Sequence, residues 1–183
     1  MDCVSSPSGK QSLDSSSPPF PGVPASTPEE TRRRMASLAP GDHMAGIYGS
    51  DEERRMLLSV YVQEGLAQGD KVLFLADEQT VRRDLGCPDG ETGRLRILPP
   101  EMSYTRQSVF DPEGMMGQLR EEARRARSEG CRALRAVGEM DWALLGVPGT
   151  DRLMEYEARI NELFRDRACL ALCLYDRRRF SPG

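Results

Sequence analysis

The sequence predicts a three-layer α/β domain on a mainly parallel sheet of about five strands, with helices on both faces. Three observations predict it. Strand and helix signals alternate from residue 41 onward. The segments KVLFLA (71–76) and ACLALCLY (168–175) are continuous apolar runs, the pattern of strands covered on both faces. The later helical segments each carry a single apolar stripe. Successive β–α–β units then fix parallel pairing and right-handed crossovers.

The elements follow in order. Residues 1–27 are rich in serine and proline and almost free of large apolar side chains, so they cannot offset their ordering entropy and are predicted to be disordered. TPEE (27–30) offers Thr27 as an N-cap, Pro28 at the first helical position and Glu30 as capping-box partner, which predicts a short helix over 28–37. A strand over 43–48 (HMAGIY) follows. Ser50 and Glu53 then form a capping box for a helix over 51–68 that ends at Gly69. Strand 71–76, a short helix near 80–85 and strand 94–98 (RLRIL) come next. Asp111-Pro112 opens a helix over 112–129, closed by Gly130, with Met115, Leu119, Ala123 and Ala126 on one face. Strand 132–138 (RALRAVG), a helix over 151–165 with the stripe Leu153, Tyr156, Ile160, Leu163 and Phe164, and strand 168–175 complete the chain.

Composition narrows the function classes. The 183 residues carry a net charge of −4, with 38% hydrophobic and 30% charged residues, enough for one domain plus a tail. An acidic balance gives no reason to expect direct nucleic-acid binding, and the arginine runs each have acids nearby. No apolar run approaches the ~20 residues of a membrane span, and the first residues lack the apolar core of a signal peptide. Five scattered cysteines, Cys3, Cys87, Cys131, Cys169 and Cys173, suit free thiols in a reducing cytoplasm.

GDHMAGIYGSDEER (41–54) has the strand–turn–helix layout of a phosphate-binding loop. A Walker A loop, however, needs Lys-Ser/Thr directly after its last glycine. Here Gly49 is followed by Ser50 and then Asp51-Glu52-Glu53, whose carboxylates complement the positive end of the helix dipole themselves. A polyphosphate would meet like charge there. Ser-His-Asp catalysis fares no better, since Ser50 is used as a cap.

GDHMAGIYGSDEER, GDKVLFLADE, GEMDWALLG, LMEYEARINELF and LALCLYDRRRF together resemble the MEDS domain, the methanogen/methylotroph DcmR sensory domain, in order over 38–181. The resemblance implies a sensory domain over 38–183 with a RecA/KaiC-like fold whose nucleotide loop is lost. It further implies a sensor of small, hydrocarbon-derived compounds, of the kind found alone or joined to DNA-binding, STAS or kinase modules in regulators. The chain departs from the family twice. Ala45 stands where members commonly have cysteine, and members tend to run on past DRRRF into another helix.

In open parallel sheets ligands bind beyond the carboxyl ends of the strands. The residues at those ends are Tyr48, Asp77, Glu78, Tyr104, Glu139, Trp142, Tyr175, Asp176 and Arg177, an aromatic, carboxylate-rich rim suited to a small molecule with polar handles. His43, the chain's lone histidine, joins them as a candidate, with a hydrogen bond to a neighbouring loop as its structural alternative. Glu139 has as alternative an ion pair with Arg135 or Arg177, Trp142 a role as lid or core anchor, and Arg135 itself calls for a buried acidic partner. Glu155 and Glu157 are expected to be solvated or paired with the DRRRF arginines, and Asn161 to be structural. With one histidine, and with Cys169 and Cys173 inside a buried strand, no metal ligands, cofactor or catalytic residues are assigned. The resulting reading is a non-enzymatic sensory or regulatory module for a small ligand or a signalling partner, with a homo-oligomer left open. Its alternatives are an interaction scaffold in sigma/anti-sigma regulation and, further off, a RecA-like ATPase.

Overall fold

The computed structural model of the chain describes residues 27–85, 93–166 and 168–180. All of the tail expected to be disordered, apart from Thr27, lies outside them. Five parallel strands form one sheet in the order β1-β5-β4-β2-β3: β1 His43–Tyr48, β2 Lys71–Leu75, β3 Leu95–Leu98, β4 Leu134–Glu139 and β5 Cys169–Asp176. The helices are α1 Pro28–Ala36, α2 Asp51–Ala67, α3 Glu78–Leu85, α4 Pro112–Ser128 and α5 Leu153–Leu163. The chain winds from β1 to β2 to β3 in one direction across the sheet and returns through β4 to β5. Right-handed crossovers therefore place α2 and α3 on one face and α4 and α5 on the other.

Two buried clusters fill the layers. One packs Leu73, Leu75, Leu134 and Ala136 against Met115, Leu119, Ala123, Tyr156 and Ile160 of α4 and α5. The other packs Val72, Phe74, Val137, Leu172 and Leu174 against Leu58, Tyr61 and Val62 of α2 and Val81 of α3. α1 lies against α2 and buries Thr31 and Met35. Its Thr27–Glu30 capping box closes reciprocally, as the sequence predicts. At α2 only half of the expected box forms. Ser50 accepts from the Glu53 amide at 3.1 Å, but the Glu53 carboxylate accepts from Gly49 N–H at 2.6 Å rather than from Ser50. Both amides at the turn are thereby satisfied from within the chain.

The acidic partner that Arg135 requires is Asp70. Its Nε donates to Asp70 Oδ2 at 2.8 Å and both side chains are fully buried. The Arg135 guanidinium also lies over the Tyr61 ring, 4.7 Å from the centroid. Gly65 sits inside α2, where glycine costs about 0.5–1 kcal/mol relative to alanine, because a Cβ there would overlap the Arg135 side chain.

Candidate functional site

The sheet has a switch point between β4 and β2. The chain leaving β2 enters α3 on one face, whereas the chain leaving β4 enters the 3₁₀ turn Met140–Leu145 and α5 on the other. A cavity of about 290 Å³ opens beside it, where α2 and α3 meet the carboxyl ends of β1, β5 and β4, lined by Tyr48, Arg54, Thr80, Asp84, Glu139, Asp141 and Asp176, among others. Of the ten residues expected around a rim pocket, Tyr48, Glu139 and Asp176 line this crevice.

The partner of Glu139 corrects the expectation. It pairs with Arg54 of α2, not with Arg135 or Arg177. Arg54 Nε donates to Glu139 Oε1 at 2.7 Å, and the same guanidinium pairs with Asp84 at the end of α3. Arg135 lies too far back along β4 and is already held by Asp70. Arg177 packs over the Gly49 turn, 3.9 Å from Glu53. Beside this pair, Arg178 bridges Asp176 (Nη2–Oδ2 2.7 Å) and Asp51 (Nη2–Oδ1 2.8 Å), and Arg179 pairs with Asp141. Arg178 holds the Asp176 and Asp51 carboxyls below the ordinary aspartate range. Tyr48 is pushed up to about 12 by burial and by the Asp141, Glu139 and Asp176 carboxylates, so it faces the crevice as a neutral hydroxyl. Asp141 Oδ1 is buried with no hydrogen-bond partner among the described residues.

The remaining candidates separate by position. Tyr104 and Trp142 are buried behind the rim rather than exposed on it. Their rings stack at 4.8 Å, and Phe110 and Tyr156 complete a four-ring cluster. Gly138 lets Tyr104 reach the sheet, since a Cβ there would overlap the phenol oxygen. Asp77 accepts from Thr80 N–H at 2.9 Å as a local cap, and that contact lowers its pKa. Glu78 pairs with Arg82 one turn along α3, on the exposed surface.

His43 and Tyr175 lie elsewhere. His43 begins β1, so it stands at the opposite end of that strand from Tyr48 and not at the rim. Register places His43 opposite Ala171, and Cys173 one pleat further along β5 on the same face. His43 Nε2 is 3.3 Å from Cys173 Sγ and 3.3 Å from Glu157 Oε2 of α5. Its Nδ1 is 3.1 Å from Asn161 Oδ1, so the expected loop contact is replaced by one to α5. Tyr175 Oη donates to Glu157 Oε1 at 3.0 Å. Glu157 therefore faces the sheet and not the DRRRF arginines. Glu155 pairs with Arg152 and Arg159 of its own helix. Burial and then Glu157 push the Cys173 thiol well above its ordinary value.

Sequence reasoning missed Arg54, Asp84 and Arg178 at the rim, and Glu157 and Cys173 at the flank. Arg54 had a legible signal: it falls in the spacing 54, 58, 61, 65 with Leu58, Tyr61 and Gly65, all buried in α2. That spacing is the inward stripe of a helix. Glu157 and Cys173 had none, because their meeting depends on how α5 lies over β5.

Residues 42–183 match the family described as MEDS, the MEthanogen/methylotroph, DcmR Sensory domain. The chain is also 30% identical over 156 residues to the transcriptional repressor DcmR of Methylorubrum extorquens (strain DSM 6343 / CIP 106787 / DM4), an alignment covering 79% of this chain and 55% of that protein. The chain thus spans about half the length of the curated relative it matches. With the sheet, the degenerate loop and the sensory-domain match in agreement, the chain belongs to the MEDS sensory-domain family.

Proposed function

We propose that this chain is a non-enzymatic sensory module of transcription control or signal transduction, acting in the cytoplasm. It engages a small molecule at the crevice where α2 and α3 meet the carboxyl ends of β1, β5 and β4. The observation that carries this reading is the crevice itself. It lies beside the sheet's switch point at the strands' carboxyl ends, holds a buried Asp141 oxygen unpaired among the described residues and places Arg54 between two carboxylates. A ligand with one donor group for Asp141 and one acceptor for the Arg54 guanidinium fits that lining. The polar walls favour an oxygenated small molecule over a bare hydrocarbon. Output then passes to a regulatory partner, as suits a family that includes the sensory domain of a repressor.

A second reading, docking of a signalling protein, is favoured by Leu144, Leu145 and Met154, large apolar side chains exposed just after the rim. A thermal-shift screen of small oxygenated compounds on the full chain, read together with Trp142 emission, tests the first reading. A compound that raises Tm, changes the emission and binds Glu139→Gln more weakly supports it. Normal binding to a Glu139→Gln variant that has itself lost stability contradicts it.

A further inference from the structure

The flank cluster shares no residue with the crevice. Its hydrogen count is unusual. Asn161 Nδ2 donates to the Glu157 carbonyl at 3.1 Å, which turns Asn161 Oδ1 toward His43 Nδ1. In the neutral tautomer that donates from Nδ1 to Asn161, His43 presents a lone pair at Nε2. Glu157 Oε1 is occupied by the Tyr175 hydroxyl, which leaves Oε2 facing that same lone pair. Cys173 Sγ is the third atom of the group, and the three lie within 4.8 Å of one another. Three electron-pair donors thus converge with one hydrogen, that of the thiol, among them. The side chains of His43 and Glu157 are 10% and 17% exposed, so the cluster is enclosed on the protein side and open on the other.

We propose that His43 Nε2, Cys173 Sγ and Glu157 Oε2 form a binding site for a zinc-type divalent cation. Nitrogen, sulfur and carboxylate oxygen are the donor set such ions take, and three protein ligands leave a fourth position for water or another ligand. Bonds of about 2.0–2.3 Å at tetrahedral angles hold neighbouring donors about 3.4–3.6 Å apart. The two measured separations from His43 Nε2 are both 3.3 Å. The surroundings are also those of a ligand set: Asn161 fixes the imidazole tautomer and Tyr175 orients the carboxylate. Binding displaces the thiol proton to solvent as the sulfur–metal bond forms, with no change of oxidation state.

The test uses the full chain, freed of metal with a chelator and titrated with Co²⁺, followed by displacement with Zn²⁺. The expected result is one equivalent bound, a near-ultraviolet thiolate-to-cobalt band, strong four-coordinate visible bands and a Zn²⁺-dependent rise in Tm. Cys173→Ser removes the sulfur band, whereas Cys131→Ser leaves it intact. Glu157→Gln, which keeps the side chain's size, keeps the sulfur band but weakens binding at least ~10-fold, and Asn161→Ala weakens it by ~10–100-fold. Absence of the sulfur band at stoichiometric Co²⁺ overturns the proposal. So does its survival in Cys173→Ser, or unchanged affinity in Glu157→Gln.

Discussion

Around the crevice five carboxylates meet guanidiniums: Glu139 and Asp84 share Arg54, Asp176 and Asp51 share Arg178, and Asp141 has Arg179. At the flank, Glu157 meets an imidazole, a thiol and a phenol, and among the described residues no ion pair joins it to an arginine or lysine. The rim is neutralised from within, so a ligand there must compete with or extend existing ion pairs. The flank brings His43 Nε2, Cys173 Sγ and Glu157 Oε2 together with no guanidinium or ammonium among the described residues, the arrangement on which the proposed cation site rests. The two regions also differ in what they do for the fold. Rim pairs tie α2, α3 and the β5 turn together across the sheet end, whereas the flank joins only α5 to two neighbouring strands.

The largest expected effect comes from breaking the rim. Arg54→Ala leaves Glu139 and Asp84 facing each other without their cation, and removing one partner of a buried pair costs about 3–5 kcal/mol. Urea denaturation should show the midpoint falling accordingly. Equal stability of variant and wild type would mean that the rim charges are solvated. A smaller loss is expected at Gly138→Ala, where the new methyl meets the Tyr104 hydroxyl and overpacking costs about 1–3 kcal/mol. A changed Trp142 emission in that variant would report the displaced stack. At the flank, Glu157→Gln keeps an oxygen to accept from Tyr175 and changes one contact in metal-free protein, so it should shift stability by about 0.5–1.5 kcal/mol, below Arg54→Ala.

Acid sharpens the contrast. Asp176 and Asp51 have lowered carboxyl pKa values because of Arg178. Their contribution is therefore fully present above the unfolded aspartate value of about 3.9 and is lost as pH falls through the lower folded values. The stability gap between wild type and Arg178→Ala should be open at pH 7 and close below about pH 4. A gap that does not narrow in acid would show that Arg178 acts through packing alone. The smallest signal concerns nucleotide. Gly49 and Glu53 amides are already satisfied by Glu53 and Ser50, so calorimetry with magnesium and millimolar ATP should give no binding heat, and micromolar affinity would contradict this reading of the loop.

What was legible in the sequence divides along the same line. The sheet and its helices follow from periodicity and caps, and β1 appears at its predicted residues because HMAGIY is bounded by a turn on each side. Strand ends can be read from strands, so Glu139, Asp176 and Tyr48 were found at the rim. Partners were harder, because Glu139 and Arg54 are 85 positions apart and their pairing depends on which helix covers the strand end. Tyr104 is placed on the rim by its loop position, which does not reveal burial, whereas Trp142 takes the core-anchor place that was its alternative. His43 was grouped with the rim, although a residue that begins a parallel strand stands at the opposite end of it. The flank was illegible because it needs sheet order as well as strand identity: β1 lies beside β5, the last strand.

Native mass spectrometry of the full chain, wild type beside Glu139→Gln, tests the sensory-crevice reading most directly. Each protein is exposed to a small-molecule extract of bacterial cells and freed of unbound material before measurement. The account expects a discrete small-molecule mass on the wild-type protein that Glu139→Gln fails to retain while remaining folded by circular dichroism. An adduct held equally by both proteins, or no adduct on either, would contradict a ligand site at the rim crevice.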